Sequence, residues 1–498
     1  MSTSDAEKGS IHQVENIATP GQVATDKEGR PLADFDPEAE KRLARKLDRR
    51  ILPMVALLYL FCFIDRSNIG NARLAGLETD LGMTGYDYNT SLSCFYVAYT
   101  VFEFPCQMLN KWMGPGRSIP LLSTLFGLLT FCVAYVNSFG ALCAVRFLLG
   151  ISEGAILPGI ALYLSRFYRK DELSWRIACY IVCAPGAGAV GALLASGLIT
   201  VPPIGSVHTW RTIFFVEGII SMGLGVISYF VLPGTSGTCK WLSAEERALA
   251  EARVKSEYVG QQTVVDALQK KAILQGIFNP TTLVAAVLFL LNNITVQGVG
   301  FFLPTIINTI FPGRTTVQQN LLAVPPYVVG IICTLVAGWS MMKLKSRGLV
   351  AIASAPWPIV GYVIYVSTLQ AHARYAAAFV VALGAFQFGP ICAAWVAVNQ
   401  TSDTARAAAI GTNVLFGNLG GLISTWMFLP KDSPRYLSAN ATNLATSAVM
   451  LILSVGLHVW QQKENRAKER GRDDHYLEGR TADEIALLGQ KHPGFRYS

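Results

Sequence analysis

The chain has 498 residues, of which 52% are hydrophobic and only 15% are charged. A soluble domain usually carries about a quarter charged residues, and the two ends of the chain, residues 1–50 and 463–498, are much richer in charge than the rest. The net charge of +8 does not indicate nucleic-acid binding, because the basic residues are spread over alternate loops between long apolar runs. Composition therefore excludes an ordinary soluble domain and predicts a helical membrane protein with many spans.

The N-terminal segment is polar. Residues 1–48 contain Pro, Gly and many acids, which predicts a disordered cytosolic segment, and no signal-peptide apolar stretch occurs at its start. Basic residues precede the first apolar run and recur in alternate loops, which is the positive-inside pattern. They are Arg42, Arg45, Lys46, Arg49, Arg50, Lys111, Arg117, Arg166, Arg169, Lys170, Lys343, Lys345 and Arg347.

Twelve apolar stretches are each long enough to cross a bilayer as a helix, which takes about 20 residues. An even number of spans places both ends of the chain on one side, and the basic N-terminal segment places that side in the cytosol. The predicted spans are residues 51–73, 89–110, 119–137, 140–168, 176–200, 211–232, 281–304, 321–343, 348–369, 371–399, 406–429 and 442–462.

The polar stretch at residues 233–279 divides the spans into two groups of six. Within it, Ser243 followed by Glu246 predicts a capped helix on the cytosolic side. The layout is that of two bundles, 49–232 and 280–462, followed by a cytosolic tail at 463–498. We therefore predict an all-α membrane protein with twelve transmembrane helices in two six-helix bundles and both termini in the cytosol.

The first predicted span carries an acid and a base side by side, Asp65 and Arg66. At 1.5 Å per helical residue, they lie roughly 20 Å into a hydrocarbon core about 30 Å thick. A charge at such depth costs at least a few kcal/mol unless it has a partner, water or a function. The alternative interpretation is a structural ion pair at the outer water interface.

Four further charged residues fall inside spans: Glu103, Arg146, Glu153 and Glu217. Arg146 and Glu153 are seven residues apart and therefore share one helix face. Such residues normally point into the bundle or into a water-filled cavity. Glu103 precedes Pro105 and can instead support a helix kink, and the position of Glu217 near the start of its span fits the interface as well as a function.

These charges suit a proton-coupled anion carrier. Arg66 and Arg146 stay charged at any working pH and can hold a carboxylate in a bidentate fork. Partly buried acids can take and release protons near neutral pH, so Asp65, Glu153 and Glu103 are the proton-coupling candidates. An acid that neutralises the arginine when ionised frees it for a substrate anion when protonated.

Other chemistries lack their motifs. No phosphate-binding loop of the type GxxxxGK[ST] is present, so ATP is not the direct energy source. The ten cysteines are scattered without a CxxC pair, and we expect no metal, no cofactor and no catalytic residues. Uncharged polar residues within spans are additional substrate-binding candidates, although hydrogen bonds between helices explain them equally well. These candidates are Asn292, Asn293, Gln297, Trp395 and Asn399.

Several stretches of the chain together resemble the anion:cation symporters of the major facilitator superfamily. They include "LYLFCFIDRSNIGNARLAGLETDLG", "RFLLGISEGAILPG", "CKWLSAEER", "FGNLGG" and "HPGFRY". Within that group the chain looks like the fungal allantoate permease branch, which includes carriers for nicotinate, allantoate, pantothenate and biotin. The resemblance implies an alternating-access carrier with one central site between the bundles.

The resemblance also assigns roles to residues. In related vesicular glutamate and bacterial galactonate carriers, the first-span arginine binds the anion, which corresponds to Arg66. The acids corresponding to Asp65 and Glu153 are linked there to proton coupling, and the span-four arginine corresponds to Arg146. The loop "LNKWMGPGRS" departs from the superfamily pattern, because it lacks the usual acid.

Span seven carries amides where the vesicular glutamate carriers have a second arginine, which favours a monoanionic substrate. We therefore predict a monomeric plasma-membrane carrier that imports a small organic carboxylate, nicotinate or a related vitamin acid, together with protons. Two alternatives stay open: an efflux carrier for a pathway-specific secondary metabolite, and a non-transporting nutrient sensor.

Overall fold

The computed structural model describes residues 36–168, 170–203, 205, 207–255, 270–344, 346–400, 403–473, 475, 490 and 495–497. Its regular elements are α-helices and two short 3-10 turns. Helices of the first half are α1 Pro37–Leu74, α2 Leu77–Asp80, α3 Asp87–Met113, α4 Pro115–Val133, α5 Phe139–Glu153, α6 Ile156–Ser165, α7 Lys170–Ile181, α8 Cys183–Leu198, α9 Trp210–Val231 and α10 Ala244–Lys255.

The second half continues the same pattern of long helices joined by short loops. Its helices are α11 Lys270–Ile277, α12 Pro280–Ile310, α13 Thr316–Leu344, α14 Arg347–Ser354, α15 Pro356–Ser367, α16 Ala371–Ala385, α17 Phe388–Val398, α18 Asp403–Ser424 and α19 Leu437–Glu469.

Each of the twelve predicted spans falls on one of these helices or on a consecutive pair. Among the described residues, ten helical segments are long and apolar enough to cross a membrane. The other two predicted spans, α1 and α3, are 38 and 27 residues long, but their polar side chains make them less apolar. The all-α membrane fold predicted from the sequence is therefore confirmed.

Four spans are interrupted near their middle, and each interruption has the same cause. Proline has no backbone N–H, so it cannot bond the carbonyl four residues earlier. Pro158 and Pro185 act in this way at the α5–α6 and α7–α8 breaks. Pro358 and Pro390 act likewise at the α14–α15 and α16–α17 breaks, and the sequence analysis did not anticipate these interruptions.

Helix contacts divide the spans into two bundles. In the first bundle α4 packs on α9, α3 packs on α5, and α1 packs on both α8 and α9. In the second bundle α12 packs on α18 and α19, and α15 packs on α16 and α19. The bundles meet where α1 contacts α12, α3 contacts α18, α7 contacts α17 and α8 contacts α13.

Glycines allow some of these helices to approach closely. A Cβ atom at Gly218 of α9 would lie 2.4 Å from the backbone nitrogen of Phe131 in α4. A Cβ atom at Gly127 would lie 2.4 Å from the backbone nitrogen of Met222. Only a residue without a side chain fits such backbone contacts, and they bring α4 and α9 together around the buried polar groups described below.

The first helix begins at Pro37, inside the segment 1–48 that was predicted to be disordered. Asp36 caps it by accepting a hydrogen bond from the Glu38 N–H at 3.0 Å, and proline occupies its first position. Arg176 also binds Asp48 with Nε–Oδ1 at 2.7 Å. Local capping and an ion pair to a distant helix therefore order residues 37–48, while residues 1–35 lie outside the described part of the chain.

The linker helix α10 is tied to the start of α1. Ser243 and Glu246 form the predicted capping box, and Lys46 Nζ lies 2.6 Å from Glu246 Oε2. Burial raises the pKa of the Glu246 carboxyl, but hydrogen bonds from Lys46 and the Ser243 backbone outweigh it and leave that pKa below its usual value. Arg253 of the same helix pairs with Glu172 at 2.5 Å. These contacts hold the linker helix against the first bundle.

The last helix extends to Glu469, seven residues beyond the predicted span. Its extension holds the end of the tail, because the Asn465 amide exchanges hydrogen bonds with the Tyr497 backbone at 2.7 and 2.8 Å. The Tyr497 ring packs on Trp460 with 5.1 Å between ring centroids. In the tail, the stretch "TADEIALLG" has the composition of a short helix and lies outside the described residues.

The two bundles also touch on the face predicted to be extracellular. The Tyr88 hydroxyl donates to the Phe301 carbonyl at 3.4 Å, and the Asn89 amide donates to the Thr425 carbonyl. The Ser93 and Thr425 hydroxyls lie 3.0 Å apart. These bonds join α3 of the first bundle to α12 and the end of α18 of the second, and they close the outer face.

Candidate functional site

A buried ion pair joins the first and fourth spans. Arg66 Nε lies 2.6 Å from Glu153 Oε2, and the Glu153 side chain is fully buried. Glu153 is the last residue of α5, directly before the break that Pro158 imposes. The structure therefore brings together two of the residues that the sequence singled out, and it places the pair inside the protein rather than at an outer water interface.

The thiol of Cys62 completes this pair. Its Sγ donates to Glu153 Oε2 at 3.2 Å and accepts from Arg66 Nη2 at 3.7 Å. The Arg66 guanidinium also lies 4.8 Å from the ring centroids of Phe63 and Tyr99. Cation–π contacts of this kind stabilise a buried cation without neutralising it. Cys62 is a member of the site that was not predicted, although its spacing of four residues from Arg66 puts both on one helix face.

Two small cavities lie between the bundles, and Arg66 lines both. The first is bounded by Arg66 and Arg146 from the first bundle and by Phe301 from the second. The second cavity is lined by the following residues: Phe63, Arg66, Ser67, Ala184, Gly188, Val296, Gln297, Gly300, Phe301, Tyr327 and Phe386. One arginine, one amide and several aromatic faces suit a small ring-bearing or amide-bearing anion.

Asp65 is buried in the first bundle and, among the described residues, forms no ion pair with the adjacent Arg66. It is 1% exposed, and neither of its carboxylate oxygens has a hydrogen-bond partner among the described residues. The Thr130 hydroxyl is near but donates to the Phe126 carbonyl instead, at 2.9 Å. The nearby positive charges that act on Asp65 are those of Arg146 and Arg66.

Arg146 is 2% exposed and connects the cavity to this interior region. Its guanidinium lies 5.5 Å from the Phe214 ring centroid. Two of its nitrogens, Nε and Nη2, have no hydrogen-bond partner within the described chain. A buried guanidinium with unused donors at a cavity wall is suited to bind an anion.

Glu217 is a member of the site that the sequence analysis left undecided. It is 1% exposed, so the interface placement is excluded. Its Oε1 accepts a hydrogen bond from the Asn68 amide, and the charges of Asp65 and Arg146 act on it. One feature of the sequence could have indicated a polar partner for Glu217. Asn68 lies one helical turn after Asp65 and shares its helix face.

Glu103 lies at the contact between the bundles. Asn418 of α18 donates to Glu103 Oε2 at 2.9 Å, and both residues are largely buried. The structure thus gives Glu103 a partner in the opposite bundle rather than in the Arg66–Glu153 pair.

The three amides of span seven are placed differently from one another. Gln297 lines the second cavity and donates to Asn293 Oδ1 at 3.4 Å. Asn293 in turn donates to the Phe289 carbonyl at 2.8 Å, and Asn292 is buried on the same helix. Gln297 is thus the amide available to a ligand, and Asn293 positions it.

Trp395 and Asn399 are not brought to the cavity. Trp395 is fully buried, and its indole N–H donates to Gln461 Oε1 at 3.0 Å. The Asn399 amide donates to the Trp395 carbonyl at 2.8 Å, while the Asn399 carbonyl accepts from Asn279 at 3.1 Å. These two residues form hydrogen bonds that join the cytosolic ends of spans seven, ten and twelve. Their role is therefore the interhelical one considered as the alternative to ligand binding.

The site therefore contains the ion pair of Arg66 with Glu153. A second arginine, Arg146, lies near two further acids, Asp65 and Glu217. Pairing of Arg66 with Glu153 leaves no free charge on the pair. Protonation of Glu153 would free the Arg66 fork for an incoming carboxylate. Within the described ranges, no group of three or more His, Cys, Asp or Glu side chains is arranged to hold a metal ion.

Comparisons with known proteins agree with this architecture. The family model described as "Major Facilitator Superfamily" matches residues 55–425. An uncharacterized transporter of Schizosaccharomyces pombe is 32% identical over 93% of this chain and 91% of its own length. The high-affinity nicotinic acid transporter of Saccharomyces cerevisiae is 30% identical over 95% of this chain and 88% of its own length.

Among solved structures, the proton:xylose symporter XylE bound to 6-bromo-6-deoxy-D-glucose superimposes with a TM-score of 0.64. It is 14% identical, covering 82% of this chain and 95% of the symporter chain, so this likeness concerns the fold. The family match spans most of the chain. The protein is therefore a member of the major facilitator superfamily, a multi-pass membrane protein that acts as a secondary transporter and not as an enzyme.

Proposed function

We propose that this transporter imports a small organic monocarboxylate by proton symport across the plasma membrane. The observation that carries the proposal is the buried Arg66–Glu153 pair at the wall of a cavity between the two bundles. A buried cation is costly unless a negative group compensates it. A substrate anion can compensate Arg66 when Glu153 is protonated, which supports an anionic substrate.

The acid beside the arginine supplies the coupling. With Glu153 ionised, Arg66 is neutralised and its Nε is occupied. With Glu153 protonated, the guanidinium can turn its fork to the substrate carboxylate, and the site gains one proton for each anion bound. Return of the empty carrier requires the pair to form again, so the proton leaves with the substrate.

The substrate class follows from the lining of the cavities. Beyond Arg66, the second cavity offers the Gln297 amide and the rings of Phe63, Phe301, Tyr327 and Phe386. These groups fit a flat ring or an amide attached to one carboxylate. The similarity to the yeast nicotinic acid transporter and the sequence resemblance to the allantoate permease branch support a nicotinate-like acid.

The experiment is uptake of labelled nicotinate, allantoate, pantothenate and biotin by yeast that lacks its own carriers. It is run at acid and neutral pH, with and without a protonophore. We expect acid-stimulated uptake of one compound, abolished by the protonophore. Absence of uptake of every compound by protein at the cell surface would contradict import and favour the efflux alternative.

Arg66→Ala tests the binding role. We expect a loss of about 100-fold in uptake efficiency, because removing a buried partner of a charged group costs about 3 kcal/mol. Arg73→Ala is the matched control: it lies on the same helix, is paired with Glu78 at 2.8 Å, and does not line either cavity. Normal uptake by surface-expressed Arg66→Ala protein would rule out anion binding by Arg66.

A further inference from the structure

The first bundle contains a second group of charged residues, Asp65, Arg146 and Glu217, on the side of the cavity away from the second bundle. Asn68 follows Asp65 by one helical turn on α1, and it donates a hydrogen bond to Glu217 of α9. Because residues three apart share a helix face, Asp65 lies on the face of α1 that meets α9 near Glu217. The contact of Arg146 with the Phe214 ring places the guanidinium against the same helix, α9. The charge of Arg146 acts on both carboxyl groups.

These three side chains are buried but incompletely bonded. Asp65, Arg146 and Glu217 are each no more than 2% exposed. Both oxygens of Asp65, Oε2 of Glu217 and two nitrogens of Arg146 have no hydrogen-bond partner in the part of the chain that the structure describes. No ion pair closer than 4.0 Å joins these three groups there, whereas Arg66 and Glu153 are in direct contact.

No other charge compensates them. The helices packed against α9 are chiefly α4, α1 and α8. The α8 segment contains no Asp, Glu, Lys, Arg or His, and the one such residue in α4 is Arg117, near the opposite end of that helix from Phe131, which touches Gly218. On α1 and α5 the other ionisable groups near Asp65 are Arg66 and Glu153, which neutralise each other.

The charge count then leaves one guanidinium for two carboxyl groups. Two buried carboxylates beside a single cation would leave one negative charge uncompensated, which a low-dielectric interior disfavours strongly. A single proton between the two carboxyl groups makes the group of three neutral. Groups coupled in this way titrate as a pair rather than individually.

We propose that Asp65 and Glu217 share one proton around Arg146 in the substrate-free carrier, and so form a proton-binding site distinct from the Arg66–Glu153 pair. The role of this proton-binding site in transport rests on the proposed function. As a consequence, Arg146 can present unused donors to the cavity while the single negative charge shared by Asp65 and Glu217 compensates its positive charge. Binding of the substrate anion then requires one further proton, on Glu153.

The test is the infrared difference spectrum, wild type minus variant, of the purified full-length carrier. It is recorded in the absence of substrate at neutral pH. A protonated buried carboxyl group shows a carbonyl stretch that is distinct from carboxylate bands and shifts in heavy water. We expect such a band in the wild-type protein and its loss in Glu217→Gln. We also expect its loss in Asp65→Asn, because the remaining carboxylate then pairs with Arg146 and needs no proton.

Glu103→Gln is the matched control. Glu103 is also a buried carboxyl group, bonded to an amide rather than to a cation, so this variant identifies any band that belongs to Glu103 and should leave the band of the cluster in place. Asn68→Leu removes the donor to Glu217 and should shift the band without abolishing it, which keeps the test open if one acid variant fails to fold. A wild-type protein with no carbonyl band beyond that of Glu103, or a further band that persists in both Glu217→Gln and Asp65→Asn, would overturn the proposal. Because no substrate is present, this result is separate from that of the uptake experiment.

Discussion

At the scale of single residues, two arginines in the first bundle have different environments. Arg66 is bonded to Glu153 and surrounded by aromatic rings, whereas Arg146 has unused donors. Under the proposed function, a substrate anion meets one arginine that is available and one that must first be released from Glu153. In that proposal, binding at Arg66 depends on the protonation of Glu153.

Glu153→Gln is expected to remove the pH dependence of uptake. Glutamine cannot lose a proton, so Arg66 stays available at every pH, while exchange of labelled for unlabelled substrate needs no net proton movement and should continue. The measurement is uptake and counterflow between acid and neutral pH. Glu78→Gln, at the outer end of the same bundle, is the control. Wild-type pH dependence in Glu153→Gln would transfer the coupling role to another acid, Asp65 first.

Much of this site could be predicted from the sequence because charges in apolar runs are conspicuous. Asp65, Arg66, Arg146 and Glu153 stand out by depth and by resemblance, and the structure places all four in one region. Glu217 could not be assigned, because its position near the start of a span says nothing about which neighbour it meets. Its environment depends on the contact of α1 with α9, which is a tertiary property.

At the scale of helices, glycines allow α4 and α9 to pack backbone to backbone directly beside Glu217, which precedes Gly218 in the chain. A side chain at Gly218 would overlap the Phe131 backbone. The two helices would then have to move apart. Packing of small residues thus supports the polar group behind the cavity.

Gly218→Ala is expected to lower the thermal stability of the purified protein by several degrees, since overpacking a close contact costs about 1–3 kcal/mol. Gly223→Ala is the control on the same helix, because no atom lies within 4 Å of a Cβ there. The measurement is the melting temperature in detergent. Equal melting temperatures for the two variants would show that the α4–α9 contact is not tight.

Span positions were predicted well because long apolar runs have few alternatives in a bilayer. The helix over residues 37–48 was not predicted, since its order comes from the Asp36 cap and from contacts with Arg176 and the linker helix. Trp395 and Asn399 show the same limit. Their composition suited a ligand site, but their partners lie on neighbouring helices of the second bundle.

At the scale of the whole molecule, the bundles are joined on the outer face by contacts of α3 with α12 and α18. Transport by alternating access requires these contacts to break so that the cavity opens outwards. The bonds involved are few and neutral, such as those of Tyr88 with Phe301 and of Ser93 with Thr425. Bonds of this strength, about 1 kcal/mol each, can form and break within a transport cycle.

A disulfide between Ser93→Cys and Thr425→Cys is expected to stop transport, because it would hold the outer face closed. The two hydroxyls lie 3.0 Å apart. Uptake should fall on oxidation and return on reduction, whereas neither single variant should respond. Thr235→Cys with Thr238→Cys, whose hydroxyls lie 3.2 Å apart within one turn, is the paired control, because this cross-link does not join the two bundles. Unchanged uptake by the cross-linked pair would mean that this contact does not open during transport.

The hydrogen bond from Asn89 to the Thr425 carbonyl also has a consequence for modification of the chain. Asn89, Thr90 and Ser91 form an acceptor sequence for N-linked glycosylation. The amide nitrogen that would carry the sugar is buried and bonded to the opposite bundle. A glycan attached there would place a bulky, hydrated group between α3 and the end of α18. Glycosylation of Asn89 and closure of the outer face are therefore mutually exclusive.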